Sequence, residues 1–169
     1  MSGSSRPTSL AIANEFIRRA RAENVKLTHM QVQKLVYFAH GFMLAAFGVP
    51  LISDQFEAWR FGPVARSLYD SLKRYGKNVI TREICYGDDT PFFSDDDGEP
   101  VLVALEQKES DVVDLVYKEF GRLQAFQLSA LTHEAGSPWD KAHRIAQNQP
   151  IDNEDIKSHF AQLVSSPVH

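Results

Sequence analysis

The sequence predicts a mainly α-helical domain, a compact multi-helix unit arranged around one central apolar helix, with a small short-stranded β element. Three observations carry that prediction. Apolar residues recur every three or four positions in several segments that end at Gly, Asn or Pro. The apolar fraction is 43% and the charged fraction 24%, with eleven Phe and two Trp, the balance of a chain that folds around its own core. At 169 residues the chain suffices for one core and is short for two, so residues 9–165 are read as a single domain, residues 1–8 as a flexible N-terminus and 166–169 as a tail.

Ile12, Ala13, Phe16, Ile17 and Ala20 form the first helical stripe, with Thr8 or Ser9 as its cap and Asn24 as its stop. Thr28 then caps the strongest stripe, Val32, Leu35, Val36, Ala39, Phe42, Met43 and Ala46, ended by Gly48 and Pro50. This helix, about residues 29–47, is apolar on more than half its circumference near its end and is expected at the centre. A short strand within 51–59 leads to Gly62-Pro63, read as a turn with Pro63 opening a third helix whose inward side is Val64, Leu68, Leu72 and Tyr75. Residues 86–100 read as an acidic loop, and strands are expected near 56–59, 79–84 and 101–105. A fourth helix from Ser110 or Asp111 buries Val112, Val113, Val116 and Phe120, and a fifth runs from Leu123 to His133. Pro138 stops it, Trp139–Ala146 forms a short helix, and Asn153 caps a last one using Ile156, Phe160 and Leu163.

Composition excludes several classes. The longest apolar run, Phe42–Phe47, is far short of the roughly 20 residues that cross a bilayer. The start has no signal-length apolar stretch and Cys85 is the one cysteine, so the cytoplasm is expected and no disulfide framework. The net charge of −4 conceals a basic stretch up to residue 82 and an acidic one over 83–114. These either pair with each other or face a protein partner. No aromatic-interleaved basic patch points to nucleic acid.

Catalytic and metal chemistry finds little support. The six histidines form neither HExxH nor a zinc-finger spacing, and His133-Glu134 with His143 reads as structural rather than as a metal site. Cys85 has no histidine beside it and acidic neighbours in Glu83, Asp88 and Asp89, which raise a thiol pKa. Asp95-Asp96-Asp97 misses EF-hand spacing, and no P-loop or GxGxxG is present. No cofactor and no metal are expected.

Three stretches differ in kind: Val32-Gln33-Lys34-Leu35-Val36-Tyr37-Phe38-Ala39-His40-Gly41, Glu57-Ala58-Trp59-Arg60-Phe61-Gly62-Pro63-Val64, and Leu131-Thr132-His133-Glu134 with Pro138-Trp139-Asp140-Lys141-Ala142. An indole or guanidinium beside a constrained turn either fixes how helices meet or is presented as a binding anchor. In this order the stretches resemble the Panacea antitoxin domain family, also described as SocA-like or GepA-like. Its outline is a Leu-x-Lys-Leu-like helix with a Tyr and a following Gly, a Glu-Ala-Trp-x-x-Gly-Pro element, and a Leu-Thr-His then Pro-Trp element. The resemblance spans about residues 10–165. Members often carry Gln and Trp around His40 and Phe42, the acidic loop is peculiar to this chain, and there is no room for the DNA-binding region that some relatives add.

The resemblance implies a non-enzymatic antitoxin that neutralises a cognate toxin, the product of a neighbouring gene, by direct contact. Lys34, Tyr37, Trp59, Arg60, Gly62, Pro63, His133, Pro138 and Trp139 match the motif positions, as partner contacts or as scaffold. One branch of the family is described as a protease adaptor presenting its toxin for degradation, and many homologues lie on prophages or mobile elements. A homodimer is a further candidate partner arrangement. The remaining alternative, a hydrolase, would need His40, His133 and nearby acids to converge in one cleft.

Overall fold

Thr8, in extended backbone, opens the first helix α1 (Ser9–Ala22), its hydroxyl accepting the Ala11 amide at 3.3 Å. That satisfies one of the N–H groups a first helical turn leaves unpaired. Asn24 at φ +56° ends the segment, a left-handed position that Asn tolerates. The computed structural model describes residues 5–90 and 98–165; residues 1–4 of the expected N-terminus, the whole expected tail 166–169, and residues 91–97 of the acidic loop lie outside the described residues.

Helix α2 (His29–Phe47) starts where the Gln31 side chain accepts the Thr28 N–H at 2.8 Å and ends at Gly48, φ +70°. It is the central helix, packed against α1 and, beyond the sheet, against four later helices. Gly41 permits the tightest approach: a Cβ there would fall 2.4 Å from the Phe160 ring. Strands β1 (Phe56–Trp59) and β2 (Gly62–Ala65) form an antiparallel hairpin with Trp59 opposite Gly62 and Ala58 opposite Pro63. Pro63 therefore does not open a helix; it lies in a strand, and α3 (Arg66–Leu72) begins three residues later. The sheet order β2-β1-β3 puts Pro63 on an edge strand, where its missing N–H leaves no ladder bond unmade.

The third strand is not 79–84 or 101–105, as the sequence suggested, but β3 (Gln149–Pro150), which pairs with Glu57 and Ala58 of β1. Asn14 supplies the physical reason. Fully buried on α1, its Nδ2 donates to Ile84 O at 2.8 Å and Val101 O at 2.9 Å, while its Oδ1 accepts from Ile84 N at 2.6 Å. A side chain thus takes bonds that a ladder would use, and the two segments meet only around an isolated Cys85–Pro100 bridge.

A 3-10 turn (Lys73–Tyr75) leads out of α3, and α4 (Gln107–Phe120) starts ahead of Ser110 because Glu109 accepts the Glu106 N–H at 2.7 Å. After a bend at Gly121 come α5 (Ala125–Thr132), α6 (Pro138–Ile145) and α7 (Asn153–Ser165). Pro138 stands at the first position of α6, where a proline lacks nothing a helix needs. Asp152, not Asn153, caps α7 by accepting the Glu154 amide at 2.8 Å; Asn153 instead meets His40 Nε2 at 2.9 Å.

One apolar cluster joins these elements, and Phe16, Phe56 and Phe160 are among its fully buried members. The two charge blocks are bridged: Arg19 meets Asp114 at 2.8 Å, Arg18 pairs with Glu83, and Arg82 and Arg74 both reach the buried Asp88. Among the described residues no helix is long and apolar enough to cross a membrane.

Candidate protein-binding site

The motif residues gather around the β1–β2 hairpin. Lys34, on the central helix, is completely buried, and its ammonium nitrogen donates to the Pro63 carbonyl at 3.3 Å. Gly62 sits directly on that side chain. A Cβ at Gly62 would lie 2.7 Å from Lys34 Cε, 2.9 Å from Nζ and 3.2 Å from Thr132 Oγ1, and its φ of +122° is foreign to L side chains. The glycine thus lets the strand lie against the lysine, and removal from water pulls the Lys34 pKa from 10.5 down to about 7. Below it His29 is pushed to about 4, first by burial and then by the Lys34 charge. Gln33 completes the underside by accepting the Ala65 amide at 3.1 Å.

From the other side the hairpin is held by Trp139 of α6, whose indole N–H donates to the Trp59 carbonyl at 2.6 Å. Trp139 is 9% exposed and packs against His133 at 4.0 Å and His143 at 4.6 Å between ring centres. His133 ends α5 with its Nδ1 2.6 Å from Ser129 O, the use of an imidazole at a helix terminus that its position suggested. The Ser137 hydroxyl donates to Thr132 O at 3.0 Å and accepts from Asp140 N at 3.2 Å, so the turn before buried Pro138 is fixed as well. Trp59 itself is half-buried, bonded to Glu57 at 3.0 Å and flanked by Tyr69 and Arg66.

What this bracing presents is the two-residue tip Arg60-Phe61. Phe61 is 64% exposed, and the Arg60 guanidinium lies 5.3 Å from its ring centre. Of the nine motif residues, Lys34, Gly62, Pro63, Pro138 and Trp139 are buried around the hairpin, Trp59 and His133 are half-buried beside it, and Arg60 is exposed at its end. Tyr37 stands apart, buried among Phe56, Phe160 and Phe38 one helical turn from Lys34. Phe61 was not singled out in the sequence; its place between Trp59 and Gly62, where a side chain at a hairpin tip cannot reach the core, is the signal that marks it.

The histidines of the hydrolase alternative are packed separately. His40 is buried on α2, bonded to Asn153 and 3.4 Å from the Ile52 amide, and burial lowers its pKa; His133 lies against Trp139. Among the described residues no group of three His, Cys, Asp or Glu is placed to hold a metal ion. Cys85 is buried, with Arg82 Nη1 3.0 Å from its sulfur, and its pKa is raised by burial first, with Asp88 and Glu83 adding to the shift.

Fold and site together define a mainly helical domain whose distinguishing feature is a braced, outward-pointing hairpin. The description "Antitoxin SocA-like, Panacea domain" belongs to the family model that matches residues 32–140, a span holding all nine motif residues. The chain belongs to this family. It is 35% identical over 133 residues to the antitoxin SocA of Caulobacter vibrioides (strain NA1000 / CB15N), covering 77% of this chain and 67% of the relative. No solved structure matches.

Proposed function

We propose that this domain is an antitoxin that neutralises a cognate protein toxin, encoded by a neighbouring gene, by direct contact, with Arg60 and Phe61 at the centre of the contact surface. The observation that carries the reading is an aromatic and a guanidinium exposed side by side on a hairpin held from beneath by Lys34 and from the side by Trp139. Binding energy in protein interfaces concentrates in a few such residues. A support already ordered before binding also lowers the entropy that association costs. On this reading the domain acts in the cytoplasm, without catalysis or cofactor, and the buried motif residues serve as the hairpin's mount while the tip touches the toxin. Family membership supplies the partner class.

The test is co-expression of the tagged protein with its neighbouring gene product, scored by co-purification and by growth. A stoichiometric complex with restored growth is expected for the wild type, and loss of both for the Arg60→Ala/Phe61→Ala double variant at unchanged expression. A double variant that still binds and rescues would remove the hairpin tip from the interface.

A further inference from the structure

A second site lies away from the hairpin tip. The C-terminal parts of α2 and α4, the turn after α5, and α7 enclose a cavity of about 320 Å³, within the size range of small-molecule pockets, roughly 300–1,000 Å³. Its inner wall is aromatic, with Tyr37, Phe38, Phe42, Phe120 and Phe160. Such a wall is filled by packing alone in most cores, but here one polar group is left over. Tyr37 is 2% exposed, and among the described residues its hydroxyl has no hydrogen-bond partner. No side-chain polar atom among those residues is both sealed from solvent and unpaired, so this hydroxyl keeps a small contact with solvent, and the cavity is the open space that Tyr37 lines. A phenol that makes no protein bond is satisfied by what fills the cavity, water in the free protein or a ligand oxygen that replaces it.

Two titratable groups lie at the wall and mouth. His159 is half-buried, and burial lowers its pKa against the opposing pull of Glu134, which leaves a neutral imidazole at neutral pH. Glu134 is exposed and contributes a carboxyl group to the lining. Thr132 and Ser137 also reach the cavity, but their hydroxyls donate to Ser129 O and Thr132 O. The free hydroxyl donor of the wall is therefore the phenol, beside the one N–H that the neutral His159 imidazole keeps, and the charged side chain in the lining is Glu134, with Lys141 outside the lining but near enough to act on His159.

We propose that this cavity is a binding site for an uncharged small molecule with one apolar ring and an oxygen that accepts a hydrogen bond from Tyr37. The aromatic wall takes the ring, the phenol fixes its orientation, and Glu134 disfavours anions. The inference is independent of toxin binding, because it rests on the cavity alone.

The experiment is an NMR titration of the isotope-labelled full chain with acetophenone, ethylbenzene and benzoate. Acetophenone is expected to give saturable shifts at Leu131, Thr132 and Leu163, which line the cavity. Ethylbenzene, which keeps the ring and the two-carbon side chain but lacks the oxygen, should bind about fivefold more weakly, the factor that one net hydrogen bond supplies, and benzoate should not saturate. Tyr37→Phe, which keeps the ring packing, should bring acetophenone down to the ethylbenzene affinity. Glu134→Gln, on an exposed side chain, should admit benzoate. The proposal is overturned if neither neutral probe saturates at these residues, if acetophenone keeps its advantage in Tyr37→Phe, or if benzoate binds the wild type as tightly as acetophenone.

Discussion

Replacing Lys34 by Met should stabilise the protein while damaging its hairpin, and the size of the effect should depend on pH. Burial lowers the lysine pKa from 10.5 to about 7. At ~1.4 kcal/mol per pH unit, the charged amine is disfavoured in the folded state by on the order of 5 kcal/mol. Methionine fills a similar volume without the charge, and the lost bond to Pro63 O at 3.3 Å gives back about 1–2 kcal/mol. The net gain is about 3 kcal/mol below pH 7. Between pH 7 and 10.5 the unfolded lysine holds a proton that the folded one has released, so wild-type stability rises with pH through that window. Lys34→Met lacks this titration. Its advantage should shrink by ~1.4 kcal/mol per pH unit above pH 7, reverse about two units higher, near pH 9, and by about pH 10.5 leave only the missing hydrogen bond. Urea unfolding of both proteins at pH 6, 8 and 10 measures the difference, in which the other titrations cancel apart from that of His29, whose pKa the Lys34 charge helps to lower. A constant offset across the three values would refute the assignment of a buried, discharging amine. If the lysine mounts the hairpin, the more stable variant should also bind the toxin less well.

Three further outcomes follow from the same geometry. Gly62→Ala forces a Cβ to 2.7 Å from Lys34 Cε at φ +122° and should cost about 2–3 kcal/mol, read as a fall in thermal midpoint on the order of 5–10 °C for a chain of this size. Trp139→Phe removes the bond to Trp59 O while keeping most of the ring, and should cost about 1–2 kcal/mol by urea unfolding. Burial holds His29 at about 4, below its usual 6.5, so the unfolded state takes up the proton first and stability falls as pH drops from 6.5 towards 4; His29→Gln should flatten that fall by up to about 3 kcal/mol.

Helices with a one-sided apolar stripe were legible in the sequence, because the pattern that buries Ile12, Phe16 and Ile17, or Val32, Leu35 and Val36, is local. The sheet was not. A two-residue strand containing Pro150 has no period to detect, and residues 101–105 have the composition of a strand but meet a buried Asn14 side chain from 87 positions earlier. Pro63 reads in the sequence as opening a helix and lies instead in β2, where its carbonyl meets Lys34, 29 residues away in the chain. The site shows the same division. The three motif stretches were visible, but their split into mount and tip depends on tertiary contacts: a charged residue on a helix face turned out to be wholly buried, while Phe61, one phenylalanine among eleven, turned out to be outside.

The measurement closest to the central claim is the affinity of the purified neighbouring gene product for the wild type and for Arg60→Ala/Phe61→Ala, by calorimetry, alongside urea unfolding of both. A wild-type complex is expected, with at least a hundredfold weaker binding by the double variant, about 3 kcal/mol as two anchor residues supply, and stabilities equal within about 0.5 kcal/mol. Equal affinities for two equally stable proteins would contradict the claim.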